Sequence, residues 1–495
     1  MKFLLLKFNQ NSLQKISVFD NNQQYYLIKQ IFYKQIVFKQ RRKKMLIFAY
    51  LDTIFEKISA EVGIADDLIK VVFTWLACIP LGFIHGFLKD HFLRNMYSLL
   101  TGLFLSYMCI KENMYVTLAT SICTYILTSM LQKKSPIPVF IMTFTVLVSL
   151  HIHRFIYDPM GWKMDGTTSL MLIICKNIYF STYVADGRIS KIPNLLEYLG
   201  YVYFYPSAII GPAFNFNIYS DFIQLRDHYA NIPLKEKTIA VLKHLGLAIA
   251  NIIGMQKIYP HFSIEIVDQD WFINGNFFIQ VLSINLLGVV LRFKYFTAWK
   301  LAQAGMNASG ITYSGKDFNK IQCMGDRFEI EPNPRLKTEM WNTSVQVWLK
   351  DCVYDKVLPK FGQNKSLLIT FVISALWHGV HPIYYFTFLH WAIMNDVSKF
   401  FYRARSKFSW LKGPLRYVVF WFLGNTAVCY MGIGVVLLDW TKALNFYKSM
   451  YFIPTFIQVF LYVFFLTTKW GSAREKKEVS AISQKETSSP SKKKD

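Results

Sequence analysis

The chain has 495 residues, 53% of them hydrophobic and 17% aromatic, and a formal net charge of +24. A soluble chain of this length usually divides into several domains, but here the apolar residues gather into blocks close to the ~20 residues that cross a bilayer. The basic excess sits beside those blocks and towards the ends (Arg41 to Lys44, Lys133, Lys134, Lys476, Lys477, Lys492 to Lys494). Positive-inside orientation and anionic headgroups account for it, and with no recognition motif beside it the charge argues against nucleic acid as a partner.

In chain order, residues 1–60 read as a basic N-terminal extension and amphipathic lead-in. Asp20 is the lone acid before residue 45, and Met45 opens a more amphipathic stretch. The first apolar run is too short for a secretory signal. Residues 61–468 read as one membrane domain. Blocks 71–88, 113–132, 271–291 and 449–468 contain no Asp, Glu, Lys or Arg. Weaker blocks lie near 95–110, 135–150, 169–184, 199–220, 238–256 and 413–438. With 366–395 they predict about ten or eleven transmembrane helices. The Gly- and Pro-bearing block 199–220 reads as re-entrant or broken. Only helices satisfy their own backbone within such spans, so the fold class is an all-α polytopic membrane protein.

The seven cysteines are scattered, with no C-x-x-C pair and no metal-ligand spacing, so neither a disulfide framework nor a zinc site is expected. Residues 300–340 are polar, with four glycines and Pro332-Asn333-Pro334, and predict an ordered loop facing water.

The segment 338–358 predicts an amphipathic helix, N-capped by Thr338 with Glu339 in its first turn and stopped by Pro359. Trp341, Val345, Trp348 and Cys352 form its apolar stripe, and Asn342 lies beside that stripe. In the apolar block 366–395, the titratable groups that matter near neutral pH are His378, His381 and His390. An ionisable group at membrane depth is a functional-site hypothesis. A histidine that merely packs between helices is an equally good reading of spacing alone.

An interfacial helix followed by a span brings Asn342 and His378 to one cavity. A histidine in a dry cavity stays neutral and keeps a ring nitrogen free to accept a proton. An amide beside it can orient a hydroxyl or donate to an oxyanion. Acyl transfer from a thioester to an alcohol needs those two functions and no metal.

The tail 469–495 is polar and rich in Ser and Lys, and reads as disordered. Lys492 and Lys493 stand fourth and third from the carboxyl end. They resemble the dilysine signal for retrieval to the endoplasmic reticulum, a receptor-read address that requires a cytosolic carboxyl terminus.

Glu339-Met340-Trp341-Asn342, then Trp348-Leu349 and Val353-Tyr354, resemble a segment of the membrane-bound O-acyltransferases. Ser374-Ala375-Leu376-Trp377-His378-Gly379, then Pro382 and Tyr384 to Phe388, resemble a second. Three further segments resemble the lysophospholipid acyltransferase branch. They are Phe204-Tyr205-Pro206-Ser207 with Gly211-Pro212-Ala213-Phe214, His151 with Arg154, Tyr157-Asp158, Gly161-Trp162 and Asp165, and Lys176 with Asp186-Gly187.

The resemblance implies a multi-helix fold around a buried reaction chamber. Acyl-CoA enters from the cytosol as co-substrate, the lysophospholipid comes from the bilayer, and no cofactor is permanently bound. It maps the catalytic pair onto His378 as base and Asn342 as its partner. Trp341, Trp348, Trp377, Tyr384, Pro206, Gly211 and Asp158 are candidate substrate-binding residues, with no metal ligand. Ile383 departs from the signature, which usually has Gly there, and is expected to narrow the chamber or shift the following turn.

The chain is compatible with a homo-oligomer. An acyltransferase of the same fold acting on a protein or another lipid remains an alternative, although the Phe-Tyr-x-Asp-Trp-Trp-Asn segment of the sterol and diacylglycerol branches is missing. A transporter is a weaker alternative, since no internal repeat of broken spans is visible. His85 with Asp90 and His153 with Asp158 match H-x4-D, the motif of an unrelated acyltransferase family, but its companion Glu-Gly-Thr is missing and both read as chance matches. No G-x-S-x-G or H-E-x-x-H occurs. A Cys352 acyl-enzyme is chemically conceivable, but packing is the better account of a thiol on the apolar stripe.

Overall fold

The computed structural model describes residues 46–161, 165–404, 408, 410–411 and 413–468. Most of the basic extension, Trp162 and the tail with its dilysine lie outside the described residues. Among the described residues there are helices and no strands. They fall into two compact units divided between Ile69 and Lys70. The first holds α1 (Leu46–Val62), after which the Ser59 hydroxyl donates to the Ile64 carbonyl at 2.7 Å.

Then follow α2 (Asp66–His85), α3 (His91–Ile110), α4 (Asn113–Leu131), α5 (Pro136–Tyr157) and α6 (Gly166–Ala185). The short α7 (Leu195–Val202) and α8 (Phe216–Ile223) flank a 3-10 turn at Tyr205–Ser207, so block 199–220 is broken, as its glycines and prolines predict. Next come α9 (Leu234–Ile258), the single turn α10 (Asp270–Ile273), α11 (Phe277–Ser309), α12 (Pro334–Met340) and α13 (Thr343–Leu349). A π-helical turn, Lys350–Tyr354, leads into α14 (Asp355–His378). The series closes with α15 (Pro382–Arg403), α16 (Gly413–Leu437), α17 (Trp440–Ser449) and α18 (Ile453–Thr467).

Six of these helices, α2, α4, α5, α9, α11 and α16, are long and apolar enough to cross a membrane. The count is seven if α17 and α18, bent by 80°, make one span. Six or seven is fewer than the ten or eleven expected from the sequence. The further long helices α3, α6 and α15, with 20, 20 and 22 residues, are less apolar because they turn polar groups inward. Arg94 is buried on α3, Lys176 and Asn177 on α6, and His390 and Asn395 on α15.

Three expectations need correction. Block 366–395 is not one span. α14 ends at His378, and the chain turns through Gly379, whose φ of 149° favours glycine. It restarts at Pro382, which suits a first turn because it has no N–H to satisfy.

The predicted helix 338–358 is also interrupted. Thr338 lies inside α12, whose N-cap is Asn333, and the helix breaks at Trp341 and Asn342. Pro359 does not stop it either. The chain runs through the π turn into α14 and leaves helical geometry only at Gly362, with φ 71°. Finally, both ends of the predicted loop 300–340 are helical, residues 300–309 in α11 and 334–340 in α12. The polar Gln303 and Asn307 at the end of α11 serve the loop that follows. Gln303 donates to Ile321 O at 2.9 Å and accepts from Cys323 N at 2.9 Å, and Asn307 accepts from the Thr312 hydroxyl at 2.8 Å.

α9 packs along α11, α6 lies between α4 and α5, and α15 is flanked by α14, α16 and α18. A knot of polar bonds holds the interior near α6. Lys176, fully buried, donates to Tyr201 O at 3.2 Å, Val202 O at 2.9 Å and Ser207 Oγ at 2.7 Å. Unpaired backbone carbonyls inside an apolar domain are costly, so one ammonium here satisfies the broken segment that no helix could satisfy.

Candidate functional site

His378 is the last residue of α14 and half-buried. Its ring stands among three aromatics: Trp377 at 4.8 Å between centroids, Phe388 at 5.0 Å and Tyr384 at 5.7 Å. Trp377 is buried, and its indole donates to Met171 O on α6 at 2.8 Å. Tyr384 sits one turn into α15, over Gly379. A Cβ on residue 379 would stand 3.0 Å from its ring. His378 is thus presented at a helix end, between rings, with no carboxylate bonded to it among the described residues.

Asn342 occupies a different kind of position from the one its sequence suggests. It is left-handed (φ 46°, ψ 55°), a conformation Asn tolerates better than most residues. Its carbonyl accepts from Val345 N at 2.9 Å and Gln346 N at 3.1 Å, while its side chain makes no capping bond. Capping would be the ordinary use of an Asn here. The backbone does the capping instead and leaves the amide for other work.

Trp341 adjoins the Asn342 turn. It packs against Trp299 at 4.8 Å, Phe328 at 5.4 Å and Tyr295 at 5.5 Å. Trp341, Tyr295, Trp299 and Phe328 thus form one ring group beside the Asn342 turn, and Trp377, Tyr384 and Phe388 form another around His378.

Trp348 is fully buried on α13, and its indole N–H has no acceptor among the described residues. Pro206 is the second residue of the 3-10 turn, and Gly211 lies so close to it that a Cβ there would meet Pro206 O at 2.5 Å. That segment reaches the site through Ala213, whose N–H donates to Ser344 Oγ, two residues past Asn342, at 3.2 Å.

Asp158 does not join this group. It is exposed at the end of α5, packed over Gly161. α5 ends at Tyr157, and Asp158 is its C-cap. Ile383 is fully buried in a core cluster with Tyr430, Ile433 and Tyr447, so its side chain fills the core behind α15 and not the space beside His378. His390 bonds its own helix at Phe386 O, 2.9 Å away, as a packing histidine does. His381 precedes α15, with its ring against Phe155 at 4.9 Å. The two H-x4-D matches dissolve. Asp90 N-caps α3 by accepting from Leu93 N, His85 is buried among aromatics, and His153 is exposed. Cys352 is buried, as packing predicts.

Two residues named by the resemblance, Lys176 and His151, had no partners assigned in the sequence reading. Lys176 was legible as a cation inside an otherwise apolar block, though its partners were not. His151 bonds the Trp377 carbonyl at 3.1 Å across 226 positions, a contact that no local signal announces.

Beside the Asn342 turn lies a surface groove of about 300 Å³, bordered by Gly325, Asp326, Arg327, Glu339, Met340 and Thr343. At its edge Asp326 pairs with Lys243 at 2.8 Å and Lys300 at 2.9 Å. Burial pushes the Asp326 carboxyl up, but the two ammoniums bonded to it outweigh that and hold it down at about 2. Lys316, Lys320, Arg327 and Arg335 of the loop are all exposed. Lys320 lies 3.3 Å from the His228 ring nitrogen, and Arg335 is bonded to Glu339. Among the described residues no cluster of His, Cys, Asp and Glu has metal-binding geometry.

Residues 75–440 match the model of the MBOAT, membrane-bound O-acyltransferase family. The chain is 30% identical over 454 residues to a lysophospholipid acyltransferase of Schizosaccharomyces pombe, covering 82% of this chain and 87% of that protein. It is 26% identical over 446 residues to lysophospholipid acyltransferase 2 of Arabidopsis thaliana, covering 81% and 94%. It is 29% identical over 302 residues to membrane-bound glycerophospholipid O-acyltransferase 1 of Homo sapiens, covering 55% and 59%.

Proposed function

Because the chain belongs to the membrane-bound O-acyltransferase family, and is therefore an O-acyltransferase, we propose that it acylates lysophospholipids from acyl-CoA. The observation that carries the acceptor is the similarity to lysophospholipid acyltransferases along more than four-fifths of the chain. The mechanism is supported by the ring-walled setting of His378 and the uncommitted amide of Asn342.

In the reaction, His378 takes the proton from the free glycerol hydroxyl as that oxygen attacks the thioester carbonyl. The Asn342 amide donates to the oxygen that becomes negative. As the tetrahedral intermediate collapses, the carbon–sulfur bond breaks, the thiolate of CoA leaves, and the proton on His378 passes to it. The exposed basic residues beside the groove, Arg327 and Arg335 with Lys316 and Lys320 further along the loop, attract the CoA phosphates at long range. No permanently bound cofactor takes part in this scheme. The same reading puts the protein in the endoplasmic reticulum membrane with a cytosolic carboxyl terminus, supported by the pattern at Lys492 and Lys493.

The test is acyl transfer in membranes containing the full chain, with radiolabelled acyl-CoA and a panel of lysophospholipids, beside His378→Ala and Asn342→Ala. Labelled diacyl product that disappears in His378→Ala at equal protein level is the expected result. Undiminished product in that variant removes His378 from the mechanism. Labelled peptide or sterol, with no lysophospholipid product, replaces the acceptor.

A further inference from the structure

We infer that His151 is a positioning residue for His378. His151 is buried on α5, and its Nε2 lies 3.1 Å from the carbonyl oxygen of Trp377. A carbonyl only accepts, so Nε2 carries the proton and Nδ1 is the bare nitrogen. The last four carbonyls of a helix have no partner within it. In α14 the Ala375 carbonyl is taken by Gly379 N–H at 3.0 Å, and the Trp377 carbonyl by His151 from another helix.

Trp377 is therefore held twice, by α5 through its backbone and by α6 through its indole on Met171. The next residue is His378. Its ring direction is set by the turn that these two bonds fix and by the Trp377 ring at right angles to it. On the far side, His151 Nδ1 would stand 3.7 Å from a Cβ on residue 379, so the same imidazole also walls the turn that follows. One helical turn on, Arg154 holds the end of α5 by donating to Gly161 O and pairing with Asp165 at 3.7 Å. His151 thus braces the helix end that presents the base. An error of about 1 Å in such a group costs up to ~100-fold in rate.

This inference rests on the assignment of His378 as the base, so the experiment separates the two. Full-length protein is purified in detergent. For the monodisperse fraction, kcat and both KM values are measured with acyl-CoA and the best lysophospholipid, for wild type, His151→Gln, His151→Asn and His378→Ala. Gln puts an amide nitrogen as many bonds from the backbone as Nε2, whereas Asn reaches only as far as Nδ1.

The expected result is that His151→Gln retains at least about a third of kcat, while His151→Asn loses about tenfold or more with both KM values within about twofold, as a rate effect of misplacement requires. Equal activity of the Gln and Asn variants, whether high or low, overturns the positioning role, because burial and polarity alone do not distinguish them. A loss expressed only in KM also overturns it. Activity surviving in His378→Ala removes the base itself, a separate failure from the other two.

Discussion

The backbone N–H of Thr343 donates to the carbonyl of Cys323 at 3.0 Å, and this bond is one reason Asn342 stands outside a helix. In an uninterrupted helix that N–H would bond to Glu339. The Met340 carbonyl is diverted in the same way, to Gly325 N–H at 2.9 Å. The loop therefore takes two ladder bonds where the chain enters the left-handed region at Asn342, and the amide of Asn342 is carried out of the helix surface.

The clamp depends on close approach at Gly325. A Cβ there would meet Met340 Cγ at 2.7 Å and Met340 Cβ at 2.8 Å. Gly325→Ala is expected to destabilise by about 1–3 kcal/mol, the usual range for overpacking, and to lower acyl transfer beyond what the folded fraction explains. Thermal unfolding in detergent beside the rate per folded molecule checks it. A stable variant with full activity shows that the clamp does not govern the site.

Asn342 allows its two roles to be separated. Glycine keeps the left-handed turn without strain, whereas alanine pays about 1–2 kcal/mol to adopt it. Asn342→Gly is expected to fold as wild type yet lose about 10²–10³ in kcat, the scale of one oxyanion donor removed. Asn342→Ala loses the same rate and some stability as well. Unfolding temperatures and kcat for the pair check this, and an active Asn342→Gly leaves the side chain with no part in the chemistry.

How much of this was legible beforehand follows from the range of each interaction. The membrane class and the positions of the helices came from runs of apolar residues, which are local. His378 and Asn342 stood out because each breaks a local pattern. What periodicity could not reveal was where side chains or loops claim backbone bonds from afar: Cys323 on Thr343, His151 on Trp377, Lys176 on Tyr201 and Val202. Those contacts decide where helices stop. So the stripe of Trp341, Val345, Trp348 and Cys352 predicted one helix, and the chain forms a helix, a turn, a second helix and a π turn.

Lys176 holds the broken segment through three donors, and methionine supplies none. Lys176→Met is expected to lose about 1–3 kcal/mol, since the Val202 carbonyl is left buried without this donor and Tyr201 O keeps the Phe204 N–H at 3.4 Å. The readout is unfolding temperature. A variant as stable as wild type shows that the segment finds other donors.

Lys337 gives the pH dependence. It lies on α12, outside the spanning helices, and is fully buried. It donates to Phe328 O at 2.9 Å, Asn425 Oδ1 at 3.1 Å and Glu329 O at 3.4 Å. Burial pushes its ammonium down to about 8, with the Glu329 carboxylate opposing and Arg292 adding to the fall. In the unfolded chain a lysine titrates near 10.4. Between about 8 and that value the unfolded state holds a proton that the folded state has lost, so folding stability rises with pH across this window. Below about 8 both states are protonated and the contribution is flat. Lys337→Met removes the slope. The unfolding midpoint of wild type minus that of Lys337→Met is therefore expected to climb between pH 8 and 10 and to stay level between pH 6 and 7.5. Tryptophan fluorescence in detergent follows it. A difference that is level throughout, or falls with pH, contradicts the assignment of a depressed lysine at this position.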